Sequence, residues 1–225
     1  MKQKETTMEK ITRVVNVAGT AILMNLLFLV SCIPVVTIGQ AWCALLNGIR
    51  YNIRGDSWFE GYKVGFKRRF WRGTISWCVM LLINGYFLLD LNHAVYYDAT
   101  VPMVAAAVMF AVSGMLTVSL LMLNVYIPTS VGDWVMNSVN MVFKAPHWLL
   151  IAAALFWLPT VMALLWIDIF LYAVMVFIAV YFAAAALIGT MVMKEPLVDL
   201  LVSCRADGTL TAEEGSFTPK EEDEE

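Results

Sequence analysis

The chain has 225 residues, 60% of them hydrophobic and only 15% charged, with a mean hydropathy of +0.73. Soluble domains average about 45–50% apolar and about 25% charged residues, so an ordinary globular protein is excluded. The net charge of −3 hides a division. Glu213, Glu214 and the acids of 221–225 crowd one terminus, while the basic residues sit beside apolar segments.

Those apolar segments are about twenty residues long, the length of a bilayer crossing. The pattern predicts an all-α polytopic integral membrane protein with five or six membrane segments and two inner-surface amphipathic helices. Residues 1–13 form a polar tail and 14–195 a single membrane domain. Residues 196–225 are expected to form an acidic cytoplasmic tail that begins with a short apolar helix and ends, in SFTPKEEDEE, disordered.

The N-terminal tail carries Lys2, Lys4, Lys10 and Arg13 and is expected on the cytoplasmic side. Residues 14–33 are the first predicted span, too long for a signal-peptide apolar region and without a small-residue cleavage pattern. Pro34 and Gly39 bracket a helix break, since proline removes an amide donor and glycine tolerates unusual backbone angles. Such a break must sit at an interface or under protein cover. Residues 35–49 are apolar but only about 22 Å long as a helix, short of the ~30 Å hydrocarbon core. A thin crossing and a re-entrant hairpin are both compatible with that length.

Residues 50–72 hold seven of the fifteen Lys and Arg residues: Arg50, Arg54, Lys63, Lys67, Arg68, Arg69 and Arg72. So many cations resist translocation, which places this block in the cytoplasm. Residues 57–72 read as one amphipathic helix with Phe59, Tyr62, Phe66 and Phe70 on a common face. Gly61 and Gly65 weaken it in isolation, so it needs the membrane or a partner. The block fits anionic lipid, each cation contributing about 1 kcal/mol near the surface. It equally fits a docking face for a cytoplasmic protein.

Residues 74–89 are expected to run outward, 90–100 to form an external link without Lys or Arg, and 101–127 to return. Residues 128–147 make a second break, at Pro128 and Gly132, and a second amphipathic helix with Asp133, Asn137, Asn140 and Lys144 as its polar stripe. Residues 148–167 go out, Asp168 marks an outer turn, and 169–193 come back. IPVVTIG at 33–39 is echoed by IPTSVG at 127–132, and FKRRFW at 66–71 by FKAPHW at 143–148. These echoes imply a weak internal repeat of 14–97 on 101–193, as in many transporters. A parallel repeat would give five spans and an external N-terminus; the basic tail argues for a cytoplasmic one.

The run NLLFLVSCIPVVTIGQAWCALL, followed by the basic Phe-rich block and FKRRFWRGTISWCVMLLI, resembles the YesL-like family of bacterial membrane proteins over roughly residues 14–195. Gln40 stands where usual members carry a small residue or proline, and Leu46 where they carry tyrosine. The family has no established biochemical activity. Its genes often neighbour those of carbohydrate ABC transporters, so the resemblance implies a role near sugar uptake and ABC permease or ATPase subunits as partners.

Catalytic signatures are missing. No P-loop pattern G-x-x-x-x-G-K-[ST] is present. The two histidines, His93 and His147, are expected on opposite faces, and no span offers a Ser–His or paired-aspartate protease arrangement. The four cysteines, Cys32, Cys43, Cys78 and Cys204, form no CxxC pair and read as buried reduced thiols. Asp90, His93, Asp98 and Asp168 form an outer-face polar group with no cation to neutralise it, readable either as a solute path or as hydrated helix ends. Asn25, Asn84 and Asn124 are expected to join helices.

The sequence thus predicts a non-enzymatic plasma-membrane protein of a bacterium, without metal or cofactor and with no nucleic-acid partner. Its expected role is an accessory or permease-like part of a carbohydrate uptake system. An autonomous small-solute carrier and a membrane sensor or signalling adaptor are the alternatives.

Overall fold

The computed structural model describes residues 7–127, 130–165 and 181–206. Every regular element among them is helical: α1 (Thr7–Ser31), a 3-10 turn (Val35–Thr37), α2 (Ile38–Ile53), α3 (Trp58–Lys67) and α4 (Phe70–Tyr96) come first. They are followed by α5 (Thr100–Tyr126), α6 (Val131–Lys144), α7 (Pro146–Leu165), α8 (Phe182–Val192) and α9 (Lys194–Ala206).

The frame is the antiparallel pair α4 and α5, each of 27 residues and apolar enough to cross a bilayer. A buried polar link ties them. Asn84 Nδ2 donates to Thr117 Oγ1 (3.0 Å), and Ser113 Oγ donates to Asn84 Oδ1 (2.9 Å). Between apolar helices such links supply the specificity that apolar contact lacks. Asn25 acts similarly, accepting the Ala183 amide at the start of α8 (3.1 Å).

At the centre lies α2, buried from Gly39 to Arg50 and packed against α1, α3, α4, α5 and α8. Its start crosses α4 so closely that a Cβ on Gly39 would collide with the Trp77 side chain, and one on Gly73 with the Gln40 amide. The break before it is closed locally. Thr37 Oγ1 donates to the carbonyls of Ser31 (2.6 Å) and Pro34 (2.7 Å), and Trp77 Nε1 reaches the Val35 carbonyl (2.9 Å).

Both ends of α2 make contacts near the basic residues. Gln40 meets residues 65–73, and Arg50 lies over the Tyr126 ring at the end of α5 (5.5 Å). The same contacts put the end of α1 beside the first turns of α4. A cytoplasmic N-terminal tail and a cytoplasmic basic block are then compatible only if α1 does not cross.

The span count falls below the expected five or six. Among the described residues two helices, α4 and α5, are long and apolar enough to cross, or three if the bent pair Val131–Lys144 and Pro146–Met162 counts as one. That pair turns through 106°, with Pro146 opening α7. The described apolar parts of α1 and α8, Gly19–Ser31 and Phe182–Val192, are shorter. Part of the expected last span, with Asp168, lies outside the described residues, as does Pro128.

Two boundaries also differ. The predicted helix over 57–72 is two helices, because Arg68 is extended (ψ 120) and Arg69 left-handed (φ 53), so Phe70 already belongs to α4. The external link expected over 90–100 shrinks to a turn, since α4 continues to Tyr96.

Candidate interaction face at the basic end

Helix α3 lies against α2 through backbone-level contact. A Cβ at Gly61 would fall 2.6 Å from Tyr51 Cβ, and one at Gly65 would fall 2.7 Å from Asn47 Cβ and 3.0 Å from Ala44 Cα. The two glycines are thus the approach surface for α2, the partner that the weak isolated helix needs. Two buried amides of α2 complete the joint. Asn47 Nδ2 donates to the Gly61 carbonyl (2.7 Å), and Gln40 Nε2 lies 2.8, 2.9 and 3.1 Å from the carbonyls of Gly65, Phe66 and Arg68. Helix C-termini leave carbonyls without intrahelical donors, and the Gln40 amide covers those of α3 from the side.

The face of α3 turned away from α2 carries Glu60, Lys63 and Lys67, all exposed. Lys63 sits over the Phe59 ring (4.2 Å). Tyr62 points inward, donating to Ser31 Oγ (2.9 Å), and burial pushes its phenol up to about 12, so it stays a donor at neutral pH.

The eight cations singled out in the sequence divide by role. Arg69 is structural: its Nη1 donates to the carbonyls of Asn124 (3.2 Å) and Ile127 (2.9 Å), covering the end of α5. Arg50 is buried beside Tyr126, with Arg54 and Arg68 near enough to repel it. Burial, with Arg54 adding to it, pulls Arg50 down to about 10, and it keeps its charge at pH 7. Arg72 stacks over Trp134 of α6 (5.4 Å). Lys63, Lys67, Arg68 and Lys144 are exposed at this end.

Helix α6 docks on α5 through side chains. Trp134 Nε1 donates to the Leu120 carbonyl (3.0 Å), and Ser119 Oγ to the Ser138 carbonyl (3.1 Å). Ser130 caps its start, accepting the Asp133 amide (3.2 Å) and donating to Asp133 Oδ2 (2.6 Å). Asp133 is thereby a helix-capping partner. Gly132 beside it is exposed and tightly packed against nothing.

Beside α6 is a polar hollow of about 230 Å³ that sequence reasoning missed, with Lys144 and His147 on one side and Glu195 and Asp199 of α9 on the other. Its only sequence signal was the i, i+4 spacing of the two acids on one helix face.

Asp90, His93 and Asp98 of the outer-face group lie at the end of α4, while Asp168 lies outside the described residues. Asp90 and His93 lie one turn apart on α4, His93 stacks on Tyr97 (4.5 Å), and Asp98 occupies an exposed left-handed turn (φ 51). Among the described residues, no three His, Cys, Asp or Glu side chains are grouped to hold a metal ion.

These features define a helical bundle with membrane-length apolar helices and a cationic end. A family model for a protein of unknown function, DUF624, matches residues 21–91, from within α1 to within α4. The matched part contains the break, the α2–α3 joint and the basic block. No curated protein and no solved structure matches the chain.

Proposed function

We propose that this chain is a non-enzymatic, YesL-like membrane protein of a bacterium. In this reading it serves as an accessory or permease-like component of an ABC-type carbohydrate uptake system, with its basic end in the cytoplasm. The observation that carries the reading is the mounting of α3. One side is locked to the buried helix α2 by Gly61, Gly65, Asn47 and Gln40, while Glu60, Lys63 and Lys67 face outward. A short charged helix held rigidly at a membrane face suits contact with a cytoplasmic subunit, because little conformational freedom is lost on docking. The absence of a P-loop pattern from the sequence fits a component that borrows its energy source. The carbohydrate assignment rests on the YesL-like resemblance alone.

Mild-detergent purification of the tagged protein from its native host tests this. An ABC permease or ATPase recovered in near-equal amount, and lost with Lys63→Glu/Lys67→Glu, is the expected result. A clean homo-oligomer, or a partner retained by the double variant, overturns the docking role of α3.

A further inference from the structure

Two arrangements of apolar surface occur on this bundle. Between α5 and α7 a hollow of about 270 Å³ is lined by residues such as Phe110, Gly114 and Trp157, with no charged group in its walls. Between α4, α5 and α6 a larger groove of about 580 Å³ has Ile75, Val79, Leu120 and Val135 along its walls, with Trp134 and Arg72 at the basic end. The second volume falls within the roughly 300–1,000 Å³ of ordinary small-molecule sites.

The composition of the groove names its occupant. Two walls are the membrane-length helices α4 and α5, so the surrounding medium is lipid. Its third wall is α6, which packs on α5 through Trp134 and Ser138. Ile75, Val79 and Val135 stay 57%, 49% and 43% exposed with α6 in place. An apolar trough under a guanidinium and an indole matches an amphiphile with one anionic head. Arginine's planar fork suits phosphate, and tryptophan favours the headgroup level. Arg72 is the one charged residue among those that line the groove.

We propose that this groove is a specific site for one anionic phospholipid, its acyl chain along Ile75, Val79, Leu120 and Val135 and its phosphate on Arg72. The site does not depend on the partner docking proposed for α3, which lies on different residues, so either can fail alone.

The test uses the full chain, stripped of lipid in mild detergent and titrated with phosphatidylglycerol or phosphatidylcholine, with bound lipid counted by native mass spectrometry. One phosphatidylglycerol should be retained about tenfold more tightly than phosphatidylcholine, the scale of one charge-assisted phosphate contact. Arg72→Gln should abolish that preference, and Arg72→Lys should keep most of it. Val135→Trp, which fills the trough, should remove the bound lipid of either kind. Equal retention of the two lipids by the wild type, or a preference that survives Arg72→Gln, overturns the site. A dimer that Val135→Trp dissociates would overturn it too, by making the occupant a second copy. Should Val135→Trp misfold, as read by circular dichroism, the two Arg72 variants still decide.

Discussion

Helices α3 and α6 are the two short amphipathic helices of the basic end, and they are held in different ways. Helix α3 is joined to its neighbour at backbone distance, through two glycines and two buried amides that reach its carbonyls. Helix α6 rests on α5 through one indole, one serine pair and a capped first turn. The first kind of joint has no slack for added volume. The second is a set of separable side-chain contacts, each replaceable at modest cost. Similar amphipathic patterns in the sequence therefore conceal one fixed and one adjustable element.

The largest effect should come from adding volume to the fixed joint. Gly65→Leu pushes α3 off Asn47 and Ala44 of α2 and should cost about 3 kcal/mol or more, at the upper end for overpacking. At the adjustable element, Gly132→Leu has only Ser130 Oγ at 4.0 Å to meet and should stay within about 0.5 kcal/mol. Unfolding in mixed micelles, followed by helicity, measures both; equal losses would erase the distinction.

Removing the polar clasp of α3 comes next. Gln40→Leu takes the donor from the Gly65, Phe66 and Arg68 carbonyls and should cost about 2 kcal/mol, the usual penalty for orphaned buried groups. Trp134→Phe keeps the ring and loses the indole donor to Leu120, for about 1 kcal/mol. If Trp134→Phe proves the more damaging in the same titration, α6 is the firmer element. Ser130→Ala, which removes the cap of α6, should cost about 1 kcal/mol or less at this exposed site. A loss confined to the amide exchange of the first turn of α6 is expected; spread into α5 would join the two elements.

The sequence made α5 and α6 legible because length and period suffice for them: a long uncharged run, and a polar stripe at Asp133, Asn137, Asn140 and Lys144. Asn84 and Asn25 were legible as helix contacts, since an amide inside a span has few other uses. The burial of α2 was not, because lipid and protein interior ask for the same side chains. AWCALLNGI reads alike in either medium. Nor could the clasp of Gln40 be read, since its partners lie 25–28 residues away. The basic block looked uniform, yet Arg69 caps α5 while Lys63 faces outward, a division set by one left-handed residue. Asp90 and His93 looked like loop residues because a polar stretch can also finish a helix.

The join at Arg69 has a mechanical consequence. Its backbone is the corner between α3 and α4, while its side chain grips the end of α5, so one residue fastens three helices. A load applied to α3 cannot swing it like a paddle on a free pivot. It would travel along α4 and α5 together, as torque on a bolted bracket moves the whole frame. Any displacement of α3 is thereby coupled to the α4–α5 frame.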